Sequence, residues 1–280
     1  MSAATVDAPA VTAGEASFEL LRRGIAALRR SGFWWGLGVV ALAFVSVAFW
    51  PSLEGNSALT DLTKNSQSLM EAFGAQDFST AAGYLDGQMY ALMLPLLLSG
   101  LAIATVTALT AGDEDAGRLE LLQALPVSRT SVWLTRFAAS FIVLAIVTAV
   151  TALVVALSLT PFSLDGITVA RVVEATLACG ALGLFHGAVG YGVAGAGASR
   201  ALAVGTAVAV LVVGYVASYL LPLADALEGF RKLSPWYWAI GTQPVTNGVS
   251  GWWMLLLLGV TAALVAVGTV LVNRRDVHGA

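Results

Sequence analysis

Long apolar runs alternate with short charged segments along most of this 280-residue chain. Six of these runs contain no Asp, Glu, Lys or Arg and are each about 20 residues long, which is enough for an α-helix to cross a hydrocarbon core of about 30 Å. The six runs are residues 33–50, 89–111, 137–159, 175–196, 201–222 and 252–272. The pattern therefore predicts an all-α membrane protein with six transmembrane helices.

The basic residues orient these predicted spans. Ten of the 14 Lys and Arg residues lie in the N-terminal segment, the loop between spans two and three, the loop between spans four and five, and the C-terminal segment. The positive-inside rule then predicts a multi-pass protein of the plasma (inner) membrane with both termini in the cytoplasm. We expect a disordered tail at residues 1–14, a single six-span membrane domain at residues 15–275 and a cytoplasmic tail at residues 276–280.

Residues 15–31 precede the first predicted span and have the pattern of an amphipathic helix. Phe18, Leu21, Ile25 and Leu28 recur at helical spacing, and the arginines of this segment lie mostly off that stripe. Such an N-terminal helix would lie at the inner membrane interface with its apolar stripe toward the lipid. The alternative is that the arginines only fix the orientation of the first span.

Two predicted outer loops are long. The charged residues of 51–88 are acidic except for Lys64, and the apolar residues between 59 and 73 fit a short surface helix. In residues 223–251, Pro235 and Pro244 interrupt an aromatic run that is too short to cross a membrane. We expect short helices or a re-entrant hairpin in that loop rather than a seventh span.

The chain lacks the residue patterns of several kinds of site. The phosphate loop G-x-x-x-x-G-K-[ST] is absent, and so are H-E-x-x-H and C-x-x-C. Cys179 is the only cysteine, so no internal disulfide can form. We therefore expect no enzymatic activity and no cofactor or metal bound by this chain.

Ion-driven transport usually depends on ionisable side chains within the membrane. His186 is the only such candidate in the six predicted spans, and none of those spans contains a carboxylate. We expect His186 to be a hydrogen-bonded packing residue, and we expect the energy for any transport to come from another source.

The fourth predicted span is rich in glycine. Gly183 and Gly187 form a small-xxx-small pair, which allows two helix backbones to approach closely. We expect this pair to serve helix packing. The alternative is a groove that faces a transported substrate.

Residues 111–129, AGDEDAGRLELLQALPVSR, form a charged segment between the second and third predicted spans. Asp113, Glu114 and Asp115 stand where a helix would begin, and carboxylates are favoured at that end of a helix. Glu114 and Arg118 are four residues apart, in the order that favours an ion pair on one helix face. The segment is therefore predicted to contain a short cytoplasmic helix.

An apolar stripe of Leu119, Leu122 and Leu125 follows the acidic residues. Pro126 marks the predicted end of the helix, because the residue before a proline is disfavoured in the helical conformation. Ser128 is placed to cap the next helix. A rigid amphipathic element held between two spans is suited to dock a partner and to pass force to both spans. The alternative is an ordinary interfacial loop.

This segment resembles a motif of the type-2 ATP-binding-cassette (ABC) exporter permeases. The likeness rests on the acidic residues, on Gly117, on Leu119-Glu120-Leu121-Leu122 and on Leu125-Pro126-Val127-Ser128-Arg129. A weaker likeness extends over most of residues 15–275, including Ser234-Pro235 before the last span and Arg274-Arg275-Asp276 after it. The arrangement of this loop within the permease also resembles that of antibiotic and multidrug exporter permeases of high-GC bacteria, and the Ala-, Gly- and Val-rich composition fits such a source.

The resemblance implies a permease subunit in the membrane lipid that pairs with a second permease protomer, identical or different, and docks a cytoplasmic ABC ATPase subunit, which binds the ATP. It implies no nucleic-acid partner. In that family the segment between spans two and three is the coupling helix, and substrates move outward. The docking residues that the resemblance implies here are Glu114, Gly117, Arg118, Leu119, Glu120, Leu122, Pro126 and Arg129. Leu119 and Leu122 would fill an apolar groove, and the charged residues would set the register.

The predicted spans carry no charged residue and few hydroxyl groups, so we expect an amphipathic or apolar cargo. The alternative is a dimer that encloses water and passes a polar cargo. A rival for the whole function is a non-transporting membrane scaffold or sensor that recruits a cytoplasmic partner through residues 111–129.

Overall fold

The computed structural model describes residues 13–54, 78–118 and 128–275, and every regular element in these ranges is helical. The α-helices are α1 (Ala13–Phe49), α2 (Ala81–Leu85), α3 (Leu94–Leu109), α4 (Ala111–Asp115), α5 (Arg129–Ser158), α6 (Val169–Gly195), α7 (Arg200–Tyr215), α8 (Pro235–Ile240) and α9 (Gly251–Arg274). The π-helical segment Asp86–Met93 joins α2 to α3, and a second, Val216–Leu220, continues α7. Short 3-10 segments are Trp50–Ser52, Leu221–Leu223 and Asp225–Leu233. The predicted all-α fold class is confirmed.

Six helical stretches of the described residues are long and apolar enough to cross a membrane. In chain order, spans 1 to 6 are Gly14–Ser52, Ala81–Asp115, Arg129–Ser158, Val169–Gly195, Arg200–Leu223 and Gly251–Arg274. Each contains, wholly or largely, the apolar run predicted for it. The structure therefore confirms a multi-pass integral membrane protein with six spans.

The two described chain ends lie at the same end of the bundle. Near the start of α1, the Ser17 hydroxyl is 2.8 Å from that of Ser131 in the first turn of α5. After the end of α9, the carbonyl oxygen of Arg275 accepts a hydrogen bond of 3.0 Å from Arg129, also in α5. We call this end of the bundle the terminal face, and the other end the opposite face.

Helix α1 is longer than the first predicted span because it includes the predicted N-terminal helix. At about 1.5 Å per residue it is about 55 Å long, well beyond a hydrocarbon core of about 30 Å. Leu28 is buried, and a Cβ atom on Gly24 would lie 2.9 Å from the Cβ of Ala139 in α5. The apolar stripe therefore faces α5, where we had expected it to face lipid, while Phe18 stays exposed. The predicted tail lies outside the described residues except for Ala13 and Gly14, which begin α1.

The second span begins earlier than predicted, at Ala81 instead of residue 89. The Thr80 side chain caps α2 by accepting a hydrogen bond of 3.1 Å from the amide of Gly83. The π-helical segment then carries the chain through Asp86, which is buried. The expectation that the spans contain no carboxylate is therefore wrong. The surface helix considered near residues 59–73 lies outside the described residues.

Spans 2 and 4 form the centre of the bundle. Of the most apolar 18-residue stretch of each of these spans, 61% and 67% is buried, whereas the same share is 28% and 22% in spans 5 and 6. Helix α6 packs closely along α3. A Cβ atom on Gly183 would lie 3.0 Å from the carbonyl carbon of Leu98, and one on Gly187 would lie 3.2 Å from the Cβ of Ala102. Both glycines thus lie where the backbones of the two central spans approach closely.

Residues 224–250 form short helical elements rather than a seventh span, as predicted. Ser234 caps α8 by accepting from the amide of Trp236, and its hydroxyl donates to the carbonyl oxygen of Gly214 at 2.6 Å. The Trp236 ring is fully buried and donates from Nε1 to the carbonyl oxygen of Leu211 at 3.0 Å. These bonds hold α8 against α7.

Candidate functional site

The segment that joins spans 2 and 3 is described on both sides of a gap. Helix α3 ends at Leu109, and the φ of −105° and ψ of −97° at Thr110 then turn the chain into α4. Gly117 then adopts φ +67°, a left-handed conformation that favours glycine and ends the short helix. Leu119, Glu120, Leu122 and Pro126 lie outside the described residues. The described part of the site therefore consists of residues 110–118 and the start of α5.

Asp113 is the first of three consecutive acidic residues on α4, which we call the acidic triplet (Asp113, Glu114 and Asp115). Its carboxylate lies 2.6 Å from Nη1 of Arg136 in α5, and both side chains are nearly buried. Arg136 also donates to the carbonyl oxygen of Leu109, an acceptor at the end of α3 that has no partner within its own helix. This pair therefore joins spans 2 and 3 at the terminal face.

Glu114 reaches the far end of the chain. Its carboxylate forms a salt bridge with Arg275, which directly follows α9, and Nη1 of Arg275 lies 3.3 Å from Glu114 Oε2. The carbonyl of the same Arg275 accepts the hydrogen bond from Arg129 described above. Thr130 and Asn273 add a second link between α5 and α9, at 2.7 Å. Glu114 and Arg129 thus both connect to the end of span 6.

Asp115 completes the triplet at the start of span 5. One of its carboxylate oxygens accepts a hydrogen bond of 2.9 Å from the backbone amide of Arg200. That amide is one of the first N–H groups of α7 and has no acceptor within the helix, and the positive end of the helix dipole favours a carboxylate there. Asp115 therefore acts as a cap for α7 from 85 residues away.

The three neighbouring carboxylates thus contact three different spans: span 3 through Asp113, span 6 through Glu114 and span 5 through Asp115. All three start from the end of span 2. A displacement of α4 would act on four of the six spans through these contacts, since each is a short charge-assisted bond. Sequence analysis identified the triplet, but as a helix start and a docking element. It missed these partners, which are distant in sequence.

The predicted ion pair between Glu114 and Arg118 is wrong. Arg118 is bound to Asp113 instead, with its Nε 2.7 Å from Oδ1. The left-handed Gly117 lies between Glu114 and Arg118, so these two residues do not occupy one continuous helix face. Docking roles for Glu114, Gly117, Arg118 and Arg129 stay predictions. The predicted cap is confirmed, because Ser128 Oγ accepts a hydrogen bond of 3.1 Å from the amide of Ser131.

At the opposite face, Asp86 is a further carboxylate that lies outside the predicted apolar runs but within an observed span. Its two oxygens accept hydrogen bonds of 2.9 Å from the amides of Val245 and Thr246, in the turn after α8. The apolar residues Ala81, Ala82, Tyr84 and Leu85 were the available signal that the helix starts before residue 89. This contact fastens the segment 241–250 to the start of span 2.

His186 is fully buried in α6, as expected for a packing residue. Its Nδ1 atom is 2.9 Å from the hydroxyl of Ser99 in α3, and its ring lies 6.5 Å from that of Trp236. Its Nε2 atom has no hydrogen-bond partner among the described residues. Within those residues no group of three His, Cys, Asp or Glu side chains is arranged for a metal ion.

The sequence of the chain matches the model of a known protein family. The family model described as "ABC-2 family transporter protein" matches residues 20–277. The matched region reaches into all six spans and includes the acidic triplet with its partners Arg136, Arg200 and Arg275. No curated protein sequence matches the chain.

Proposed function

The chain belongs to the ABC-2 family of transporter proteins, and on that premise we propose that it is the permease subunit of an exporter driven by a separate ATPase. As a member of this family it is a membrane subunit of a transporter. The proposal adds that a cytoplasmic ABC ATPase binds and hydrolyses the ATP, and that a second permease protomer completes the path across the membrane. This chain itself carries out no ATP hydrolysis.

The proposed orientation places the terminal face in the cytoplasm. Arg22, Arg23, Arg118 and Arg136 all belong to this end of the bundle, and the positive-inside rule assigns the end with the excess of Lys and Arg to the cytoplasm. The segment 111–129 then faces the compartment that contains ATP. The long outer segment 224–250 faces away from the cell interior.

The proposed ATPase-docking surface is the segment 111–129. Leu119 and Leu122 supply its apolar contact, since burying a leucine side chain contributes about 1.5–3 kcal/mol. Glu120 and the exposed Arg118 set the register by charge. Exposed ion pairs contribute only about 0–1 kcal/mol, so the leucines account for most of the affinity.

The observation that carries this proposal is the set of contacts made by the acidic triplet. A docking segment can drive transport only if its displacement reaches the helices that line the path. Here the residues directly before the docking leucines bind spans 3, 5 and 6, with partners at Arg136, Arg200 and Arg275. ATP-driven movement of the segment would therefore shift the spans together, as a rigid-body switch.

We propose an amphipathic or apolar cargo. The hydroxyl groups of Thr105, Thr148 and Thr151 each donate to a carbonyl four residues earlier, at 2.8 Å, so their protons are already bonded within the helix. Asp86 is likewise bonded to two amides. Side chains of this kind offer little to replace the hydration shell of a charged cargo.

The test is purification of the tagged full-length protein from its native membranes, followed by measurement of vanadate-sensitive ATP hydrolysis. We expect this activity to co-purify with the wild-type protein. Leu119→Asp and Leu122→Asp should abolish it while the protein stays inserted, whereas Ala124→Asp, on the opposite side of the predicted helix, should keep it. Equal ATP hydrolysis in all four preparations would contradict the docking surface, and none in any of them would contradict the proposed function.

A further inference from the structure

A cavity opens at the terminal face between α1, the end of span 2 and α5. Its volume is about 420 Å³, which lies within the usual range for small-ligand sites. The residues that matter for its chemistry are Leu20, Arg23, Ala27, Asp113, Arg118 and Arg136. Its lining does not include Glu114 or Asp115, the two other members of the acidic triplet.

The charges around this cavity favour an anion. Among the described residues of the lining, three guanidinium groups face one carboxylate, which leaves an excess of two positive charges. Asp113 is bound on one oxygen by Arg118 and on the other by Arg136, each at 2.6 Å. A guanidinium has five N–H donors, so a single carboxylate cannot satisfy all three. Glu19 binds Arg22 as well as Arg23, so it does not remove the excess.

The site is built rather than a loose cluster of surface charges. The Arg136 side chain is only 10% exposed, and it is held by Asp113 and by the carbonyl of Leu109. Arg118 and Arg23 are 60% and 68% exposed and stand at the rim. A buried guanidinium at the base with two exposed ones at the rim is a geometry that binds phosphate oxygens well, because arginine recognises them in a bidentate manner.

The position of the cavity narrows the choice of anion. Arg136 directly precedes the third apolar run, and Leu109 lies at the end of the second, so the cavity is level with the boundary of the hydrocarbon core. Leu20 and Ala27 give it an apolar wall beside the arginines. Basic pockets between transmembrane helices on the cytoplasmic side bind the headgroups of anionic lipids.

We propose that this cavity binds a phosphate ester anion, supplied by the headgroup of an anionic phospholipid in the leaflet at the terminal face. The phosphate contacts Arg136, Arg118 and Arg23, and the glycerol backbone lies against Leu20 and Ala27. The bound lipid lies between α1 and α5 and contacts Arg118 and Arg136, the two partners of Asp113. Lipid composition therefore acts on the same pair, Asp113 and Arg136, that joins spans 2 and 3.

The test is native mass spectrometry of the full-length protein, titrated with phosphatidylglycerol or with phosphatidylcholine of the same acyl chains. We expect one phosphatidylglycerol molecule per protomer to bind at concentrations where phosphatidylcholine does not. Arg23→Gln should lower that affinity about fivefold, since a basic residue near the surface contributes about 1 kcal/mol to anionic-lipid binding. Arg274→Gln is the matched control, because it removes the same charge from an exposed residue at the terminal face but lies on α9 and does not line the cavity.

A second pair of variants blocks the site without removing an arginine. Ala27→Glu places a carboxylate in the cavity and should lower the affinity about tenfold, whereas Ala26→Glu, next to it on α1 and outside the lining, should not. Competition by inorganic phosphate or glycerol phosphate at millimolar concentration would identify a soluble phosphate as the source of the anion. Equal binding of the two lipids, or equal affinity in Ala27→Glu and Ala26→Glu, would overturn the proposal.

Discussion

At the residue scale, many buried polar side chains of the spans are bonded to backbone atoms. Asp86 accepts from two amides, Thr105 donates to the carbonyl of Leu101, and Trp236 donates to that of Leu211. Such bonds are expected in a membrane-spanning bundle, because an unpaired polar group in hydrocarbon costs several kcal/mol. They also mean that these side chains serve the fold before they can serve a cargo.

Asp86→Asn tests the residue that fastens the segment 241–250 to span 2. An asparagine side chain has one acceptor oxygen in place of two, so one of the amides of Val245 and Thr246 loses its partner. Leaving a buried donor unsatisfied costs about 1–3 kcal/mol, and we expect the midpoint of thermal unfolding to fall by about 2–6 °C. The measurement is a thermal melt in detergent, with Asp165→Asn, at an exposed loop of the same face, as the control. An unchanged melting midpoint would show that the contact does not stabilise the fold.

At the element scale, the sequence was informative wherever the signal is local. The cap at Ser128 and the apolar length of each span depend on neighbouring residues, and both were predicted. The start of span 2 was misplaced because its π-helical segment contains a carboxylate, and the amides that compensate for Asp86 come from residues 245 and 246. Glu114 was paired with Arg118 for the same reason, since nothing in the local pattern indicates Arg275.

The contact between the two central spans gives a prediction about helix packing. Gly183→Ala would place a Cβ atom 3.0 Å from the backbone of Leu98, a neighbour that cannot rotate away. We expect a loss of about 1–3 kcal/mol of stability and a lower yield of folded protein. Gly205→Ala is the matched control, because a Cβ atom there meets nothing within 4 Å and alanine is favoured over glycine within a helix. The prediction fails if both variants melt at the same temperature, as measured in the same detergent.

The acidic triplet gives a prediction about coupling. Glu114→Gln removes the charge that holds the end of span 2 to Arg275, while the docking leucines stay in place. We expect the ATPase to remain bound, because the leucines supply most of the predicted docking affinity, and we expect transport per ATP hydrolysed to fall about two- to fivefold, which corresponds to the modest value of a partly exposed ion pair. Glu19→Gln is the control, because its ion pairs stay within α1. Loss of ATPase binding in Glu114→Gln would assign that residue to docking and not to transmission.

At the scale of the whole molecule, the two faces of the bundle are held differently. The terminal face is held by charge contacts between the ends of spans 2, 3, 5 and 6, whereas at the opposite face Asp86 binds span 2 to the short elements after α8. The peripheral spans expose large apolar side chains, among them Trp252 and Leu255 on α9. A switch driven from the terminal face would therefore move the spans as a connected group within lipid.

The apolar surfaces of the spans predict which class of compound stimulates the complex. We expect lipophilic drugs and phospholipids to raise the ATP hydrolysis of the complex reconstituted in lipid nanodiscs at least about twofold over its basal rate, because the span surfaces described here are apolar. Sugars and inorganic ions should leave the rate unchanged. Stimulation by the hydrophilic compounds alone would show that a dimer encloses a hydrated path, and it would contradict the proposed cargo class.

The most direct test of the central claim is cargo movement in sealed liposomes that contain the permease and its ATPase, followed with a fluorescent lipophilic substrate. We expect movement that requires hydrolysable ATP, persists when the pH gradient is collapsed, and disappears in Leu119→Asp although the permease is present in equal amount. Movement driven by a pH gradient in liposomes that contain the permease without any ATPase would contradict it.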